Sequence, residues 1–152
     1  MNLMFSTVFP AYHPRRGEPT EFVEKILGGR KVHTVHENLA YWKLHDGKRV
    51  NLCVWSGKPY GNGSSPRVFA SAKIRVNEIG FYRKIREPQD FGICFFDCGA
   101  NPAQIPFAEF AQGDGLTEED FNNWFPVCNS LAGSACIWLD DVRAVDEEGG
   151  GK

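Results

Sequence analysis

Between residues 28 and 36 the chain reads Gly28-Gly29-Arg30-Lys31-Val32-His33-Thr34-Val35-His36, which places a lysine, a threonine and two histidines within a short span. Such side chains can bind anions, position a proton or activate a hydroxyl. Threonine is a poor nucleophile until a neighbouring base takes its proton, and a desolvated lysine of lowered pKa can be that base. A carboxylate can then orient the amine or hand a proton to a leaving nitrogen. Lys31, His33 and Val35 alternate with Val32, Thr34 and His36, the period of a β-strand. On an ideal strand Lys31 and Thr34 face opposite ways, unless a bulge or the entering turn brings Lys31 round. An exposed edge strand with ordinary solvated polar residues would use the same residue types.

The elements that must position these groups follow from patterning. Leu3 to Val8 reads as a first strand, and Pro10 to Pro19 as an irregular loop denied regular pairing by its prolines and glycine. Thr20 is the expected N-cap of a short amphipathic helix whose apolar residues are Phe22, Val23, Ile26 and Leu27, with Glu21 and Glu24 near its positive end. Gly28 and Gly29 suit a left-handed cap at its other end. Asn38 to Asp46 reads as a connector, and Asp46-Gly47 as a tight turn into a strand over Arg49 to Trp55. Ser56 to Pro66 reads as a flexible loop. Arg67 to Glu78 alternates as a strand, Phe91 to Phe96 as a buried one, and Asn101 to Gly115 as a second long loop. Thr117 caps a helix to Phe125, Ala135 to Val142 forms the last strand, and Asp146 to Lys152 is expected to be a disordered tail.

With 152 residues and 42% hydrophobic content, the chain fits one domain, residues 1–145, around one core. No apolar run is long enough for a membrane span. Met1 to Val8 lacks a basic leader and a cleavage pattern, so no signal peptide is expected. The five cysteines (Cys53, Cys94, Cys98, Cys128, Cys136) show no disulfide rhythm and fit free thiols in a reducing cytoplasm. Cys94 and Cys98 lack a second close pair, so neither a metal nor any other cofactor is expected. Residues 1–90 hold 15 Lys+Arg and 8 Asp+Glu, a balance of +7; residues 91–152 hold 2 and 11, a balance of −9. That asymmetry fits a basic face that meets phosphates, or equally two halves that neutralise each other in the fold.

The order of elements is that of an α+β protein, a small, mostly antiparallel β-barrel with two flanking helices. A helix running into Gly29-Arg30-Lys31-Val32-His33-Thr34-Val35-His36, together with Gly115-Leu116-Thr117-Glu118-Glu119-Asp120-Phe121 at a late helix, resembles the ASCH domain of the PUA-like superfamily. Trp55-Ser56-Gly57-Lys58-Pro59-Tyr60 is also similar to small ASCH-like proteins of phages and gut bacteria. The resemblance implies a cleft beside the first helix that binds RNA or a modified nucleoside. One branch, the bacterial acetylcytidine amidohydrolases, removes an acyl group from a modified cytidine with a lysine, a threonine and a carboxylate. Lys31 and Thr34 fall on the first two of these, and Asp114 is the nearest match to the third. The chain departs from the pattern in having His36 for the signature arginine and an aspartate for the family's glutamate. It also adds the loop carrying His13, Arg15 and Arg16, which could cover the cleft.

Around this candidate catalytic set, Arg15, Arg16, Arg30, His36 and Lys58 are the expected polar contacts to a ligand. Trp55 and Tyr60 are the expected stacking partners for a base, Trp55 being equally a core candidate. The three functional classes are RNA or nucleoside binding, hydrolysis of an N-acylated cytidine, and a phage-type protein that binds a host protein.

Overall fold

One long strand organises the sheet. In the computed structural model, which describes residues 1–56, 63–83, 91–96, 103–125 and 133–145, β4 (Pro66–Arg83) pairs with three other strands along its length. Its first part lies antiparallel to β3 (Arg49–Trp55) and its middle to β7 (Ala135–Ala144). Its last part pairs with β5 (Phe91–Phe95), which in turn pairs with β6 (Ala103–Pro106). β1 (Asn2–Met4) adds the one parallel pairing, to β3, while β2 (His33–His36) lies antiparallel to β7. Register shifts at Leu52/Cys53 and Ser71/Lys73 fit the strong curl, since an extra residue bends a strand and raises its twist. The result is α+β, a curled and mostly antiparallel half-barrel. Ala70, Ala72, Ile74 and Val76 of β4 are buried in its core with Leu52, Ile93 and Ile137, as the period-2 pattern requires.

Four helices, not two, flank this sheet among the described residues. The expected connector after the motif strand contains α2 (Leu39–Lys43), capped by the Asn38 side chain, which accepts from the Tyr41 N–H. The expected loop 101–115 contains β6 and α3 (Phe107–Gly113), whose Phe107, Phe110 and Ala111 are buried. Phe-rich packing supplied the order that local turn chemistry did not announce. At the start of α1 (Phe22–Leu27), Glu21 in the left-handed region is the cap residue rather than Thr20. The Thr20 hydroxyl accepts from the Phe22 N–H at 3.4 Å and donates to Ser6 O at 2.7 Å, tying the helix start to the chain after β1. Thr117 does cap α4 (Glu118–Trp124), its side chain accepting from the Asp120 N–H. The first strand is shorter than expected and β4 longer, and the tail from Asp146 lies outside the described residues.

Two helix C-termini close in the same way. After α1, the N–H of Gly29 bonds to Ile26 O and that of Arg30 to Lys25 O, with Gly29 at φ +78°. After α3, Gly115 bonds to Gln112 O and Leu116 to Ala111 O, with Gly115 at φ +82°. Both are Schellman turns, which satisfy the last carbonyls of a helix and favour glycine at the left-handed position. They differ in surroundings: a Cβ at Gly29 would meet nothing within 4 Å, whereas one at Gly115 would sit 3.2 Å from Lys31 Cβ. Gly29→Ala should therefore cost only the left-handed penalty, about 1–2 kcal/mol. Gly115→Ala should cost more than that in urea unfolding, because it adds a steric conflict with a buried side chain. Equal losses for the two would show that the Gly115–Lys31 contact is slack.

Candidate functional site: a buried lysine at a helix C-terminus

The Schellman turn after α1 settles which way Lys31 points. Its N–H bonds to Lys25 O, and the chain enters β2 only at His33, after Val32 N–H has bonded to Gly113 O. Lys31 is thus released from the strand alternation, and its side chain lines the same cavity as Thr34. The lysine is 2% exposed. Its ammonium donates to Asp114 O at 2.7 Å and lies 3.4 Å from Asp114 Oδ1. It also sits 4.3 Å from the centre of the Phe22 ring, a cation–π contact. Asp114 is the C-cap of α3, so the ammonium meets a carbonyl at the negative end of that helix as well as a carboxylate. Burial pushes the Lys31 pKa below its ordinary value, with Asp114 acting in the opposite direction.

Lys31, Thr34, His36 and Asp114 all line one cavity of about 160 Å³, together with aromatic residues that include Phe22 and Trp124. That volume is below the usual range for whole drug-sized ligands and suits a ring or an acyl group. Alternation along β2 gives Thr34 and His36 the same face. The His36 pKa is lowered to about 4 by burial, with Lys31 adding to the shift, so its imidazole is neutral at pH 7. The ring packs against Trp42 of α2, 5.2 Å between centres.

His33 is the member of the site that its alternation had set aside. It faces the other side of β2, stacked on Phe110 at 4.5 Å, and its Nδ1 lies 3.3 Å from Asp114 Oδ1. One carboxylate oxygen therefore bridges Lys31 and His33. The doubled histidine in the motif was the only signal for this in the sequence. Lys25 also escaped notice: its ammonium donates to Gly115 O at 2.8 Å, the carbonyl next to the one that Lys31 uses.

The remaining expected contacts disperse. Arg15 is bound by Asp120 at 2.5 Å and by Glu18, and with Arg30 it lines a different cavity. Arg16 is exposed. Trp55 is half-buried at the end of β3 and does not line the Lys31 cavity. Lys58 and Tyr60, and likewise Cys98 and Cys128, lie outside the described residues. The arginine-bearing loop does not lie over the cavity as a loose cover; it straps α4. His13 is buried, its Nδ1 accepting from the Arg15 N–H and its Nε2 lying 3.0 Å from Asp120 O. Tyr12 donates to Trp124 O at 2.9 Å. The loop thus fixes Trp124, which does line the cavity.

Part of the charge asymmetry of the sequence is spent on pairs between the two stretches. Arg15–Asp120, Lys31–Asp114, Arg49–Asp141 and Arg75–Asp140 each join a base from residues 1–90 to an acid from residues 91–152. Lys31 is inside the protein and shares no outer face with Arg15, Arg16 and Arg30. No helix among the described residues is long and apolar enough to cross a membrane. Comparison with protein-family models, with curated proteins and with solved structures gave no match.

The depressed His36 pKa has a signed consequence. Between pH 6.5 and about pH 4 the unfolded chain binds a proton that the folded one does not, so folding stability rises with pH across that window and falls on acidification. His36→Gln should flatten this part of the stability–pH curve, removing about 2–3 kcal/mol of the difference between pH 7 and pH 4. Parallel curves for the two proteins in urea titrations would show that His36 titrates normally in the fold.

Proposed function

We propose that this chain is an ASCH-like protein of PUA-like type whose Lys31 cavity binds a modified pyrimidine nucleoside and hydrolyses its N-acyl group. The observation that carries the reading is that Asp114, distant in sequence, lines one small cavity with aromatic walls together with Lys31 and Thr34. The order of elements supports it too, since Asp114 stands just before α4, as the resemblance implies for the carboxylate.

In the proposed reaction the Lys31 ammonium, its pKa lowered by burial, first gives up a proton to solvent, and the resulting amine takes the proton of Thr34 Oγ1, which attacks the acyl carbon. Collapse of the tetrahedral intermediate breaks the C–N bond, and the Lys31 ammonium returns the proton to the leaving amino nitrogen. Water then attacks the threonine ester, giving up its proton through Lys31, and leaves the free carboxylic acid and the restored hydroxyl. Asp114 holds the ammonium in place between these steps, with His33 steadying the carboxylate from behind. The neutral His36 offers one donor and one acceptor to the edge of a base, in place of the cation of the family signature.

An extended RNA strand receives less support from this geometry. The cavity is small, and Arg15, Arg49 and Arg75 are each engaged by a carboxylate.

The test is turnover of N4-acetylcytidine by the purified protein. Lys31→Met, which keeps the length of the buried chain, should lower the rate by about 10²–10⁴-fold. Thr34→Ala should abolish any acyl-enzyme burst, while circular dichroism reports an unchanged fold. Absence of turnover with N-acylated pyrimidine nucleosides, alongside measurable binding of the free nucleoside, would reduce the site to a binding pocket. Absence of both turnover and binding would refute the reading.

A further inference from the structure

A second and larger hollow lies on the other side of the Asp114–Gly115 segment. It measures about 420 Å³ and is lined by Arg15, Lys25, Arg30, Gln112, Thr117 and Asp120 among others. Its residues come from three separate stretches: the strap before α1, the end of α1, and the α3–α4 connection. Three cationic side chains thus share the hollow with the carboxylate of Asp120. Asp120 is committed to Arg15, which it contacts at 2.5 Å. Lys25 is held by Gly115 O, a neutral carbonyl. Arg30, just past the Schellman turn, makes no ion pair among the described residues.

The cations act on one another. Partial burial pushes the Lys25 pKa down; Glu21 acts against it, Arg30 and Arg15 act with it, and Asp120 opposes them. The lining of the hollow sets three cations against the one carboxylate of Asp120, with Glu18 on Arg15 and Glu21 acting on Lys25 from its margin. A concave surface with an excess of one sign concentrates the opposite ion. Two guanidinium forks and an ammonium suit a tetrahedral oxyanion, since arginine presents paired N–H donors to phosphate and lysine adds a mobile point charge.

We propose that this outer hollow is a phosphate-binding site, with Arg30 and Lys25 as its principal ligands and Arg15 contributing from across Asp120. It is distinct from the Lys31 cavity and does not depend on what that cavity does. The phosphate is carried by a nucleotide, free or in a strand.

The test uses inorganic phosphate as the first probe, followed by calorimetry and by thermal unfolding in a non-coordinating buffer. Phosphate should raise the unfolding temperature in a saturable way, because a ligand that binds only the folded state stabilises it. Arg30→Gln and Lys25→Gln should each weaken phosphate binding about tenfold or more, while Arg16→Gln, outside the hollow, should leave it unchanged. Cytidine 5′-monophosphate and short oligocytidylates then separate the sources. Equal affinity per site marks a free nucleotide, and affinity that grows with length and falls steeply with salt marks a strand. No saturable effect of phosphate in the millimolar range, or wild-type affinity in Arg30→Gln, overturns the proposal. Lack of N-acyl hydrolysis would leave it standing, since neither variant touches Lys31 or Thr34.

Discussion

The interaction on which the rest depends is a buried ammonium held against the end of a helix. Removing a lysine's charge from water costs several kcal/mol even after relaxation, and a carboxylate alone repays that only with good geometry. Here the cost is spread over three partners: Asp114 O at the negative end of α3, Asp114 Oδ1 and the Phe22 ring. Each of these exists only because another element is in place. Asp114 is where α3 ends, Phe22 opens α1, and Gly115 must lack a side chain for the Lys31 stem to pass. The three-dimensional site and the two Schellman turns are therefore one construction. Neither helix, at six and seven residues, would form alone in water.

Much of this was written in the sequence, though unevenly. The glycine pair, the apolar face of α1, the Thr117 cap and the alternation of β4 are local signals, and local chemistry decided them. The convergence of Lys31 with Thr34 was not local. Strand period alone would have separated them, and only the turn geometry between Gly28 and Val32 brings them to one cavity. The missed elements failed for the opposite reason. β6 and α3 sit in a stretch rich in Ala, Pro and Gln whose order comes from burying Phe107 and Phe110 against distant residues. His33 was legible as a residue type but not as a partner of Asp114, since that contact spans 81 positions.

Charge was the feature most easily misread from composition. A +7 stretch followed by a −9 stretch invites a picture of two faces. In the fold, antiparallel pairing of β4 with β7 lays the two stretches side by side, and Arg75 meets Asp140 as a cross-strand pair. Such surface pairs contribute little to stability each. What they do is weaken the long-range field between the two stretches. Position, and not the net count, decides where an anion would be drawn.

Protonation links the parts of the inner cavity into one equilibrium. Asp114 faces Lys31 on one side and His33 on the other, so a proton lost from Lys31 changes the field on the carboxylate and on both histidines. His36 is held neutral by burial and by the same lysine, which leaves the cavity with one cation and one anion at its floor and a neutral imidazole on its wall. An apolar filling of equal volume would cost less to bury, since buried ion pairs are commonly neutral or unfavourable beside a hydrophobic alternative. A fold that needed only stability could close this hollow with leucine and phenylalanine, both of which the chain places freely elsewhere. Keeping an ammonium, a carboxylate, a hydroxyl and an imidazole around open space instead makes the cavity polar at its floor and aromatic on its sides. That combination of an aromatic wall with a polar floor suits a flat, partly polar ring.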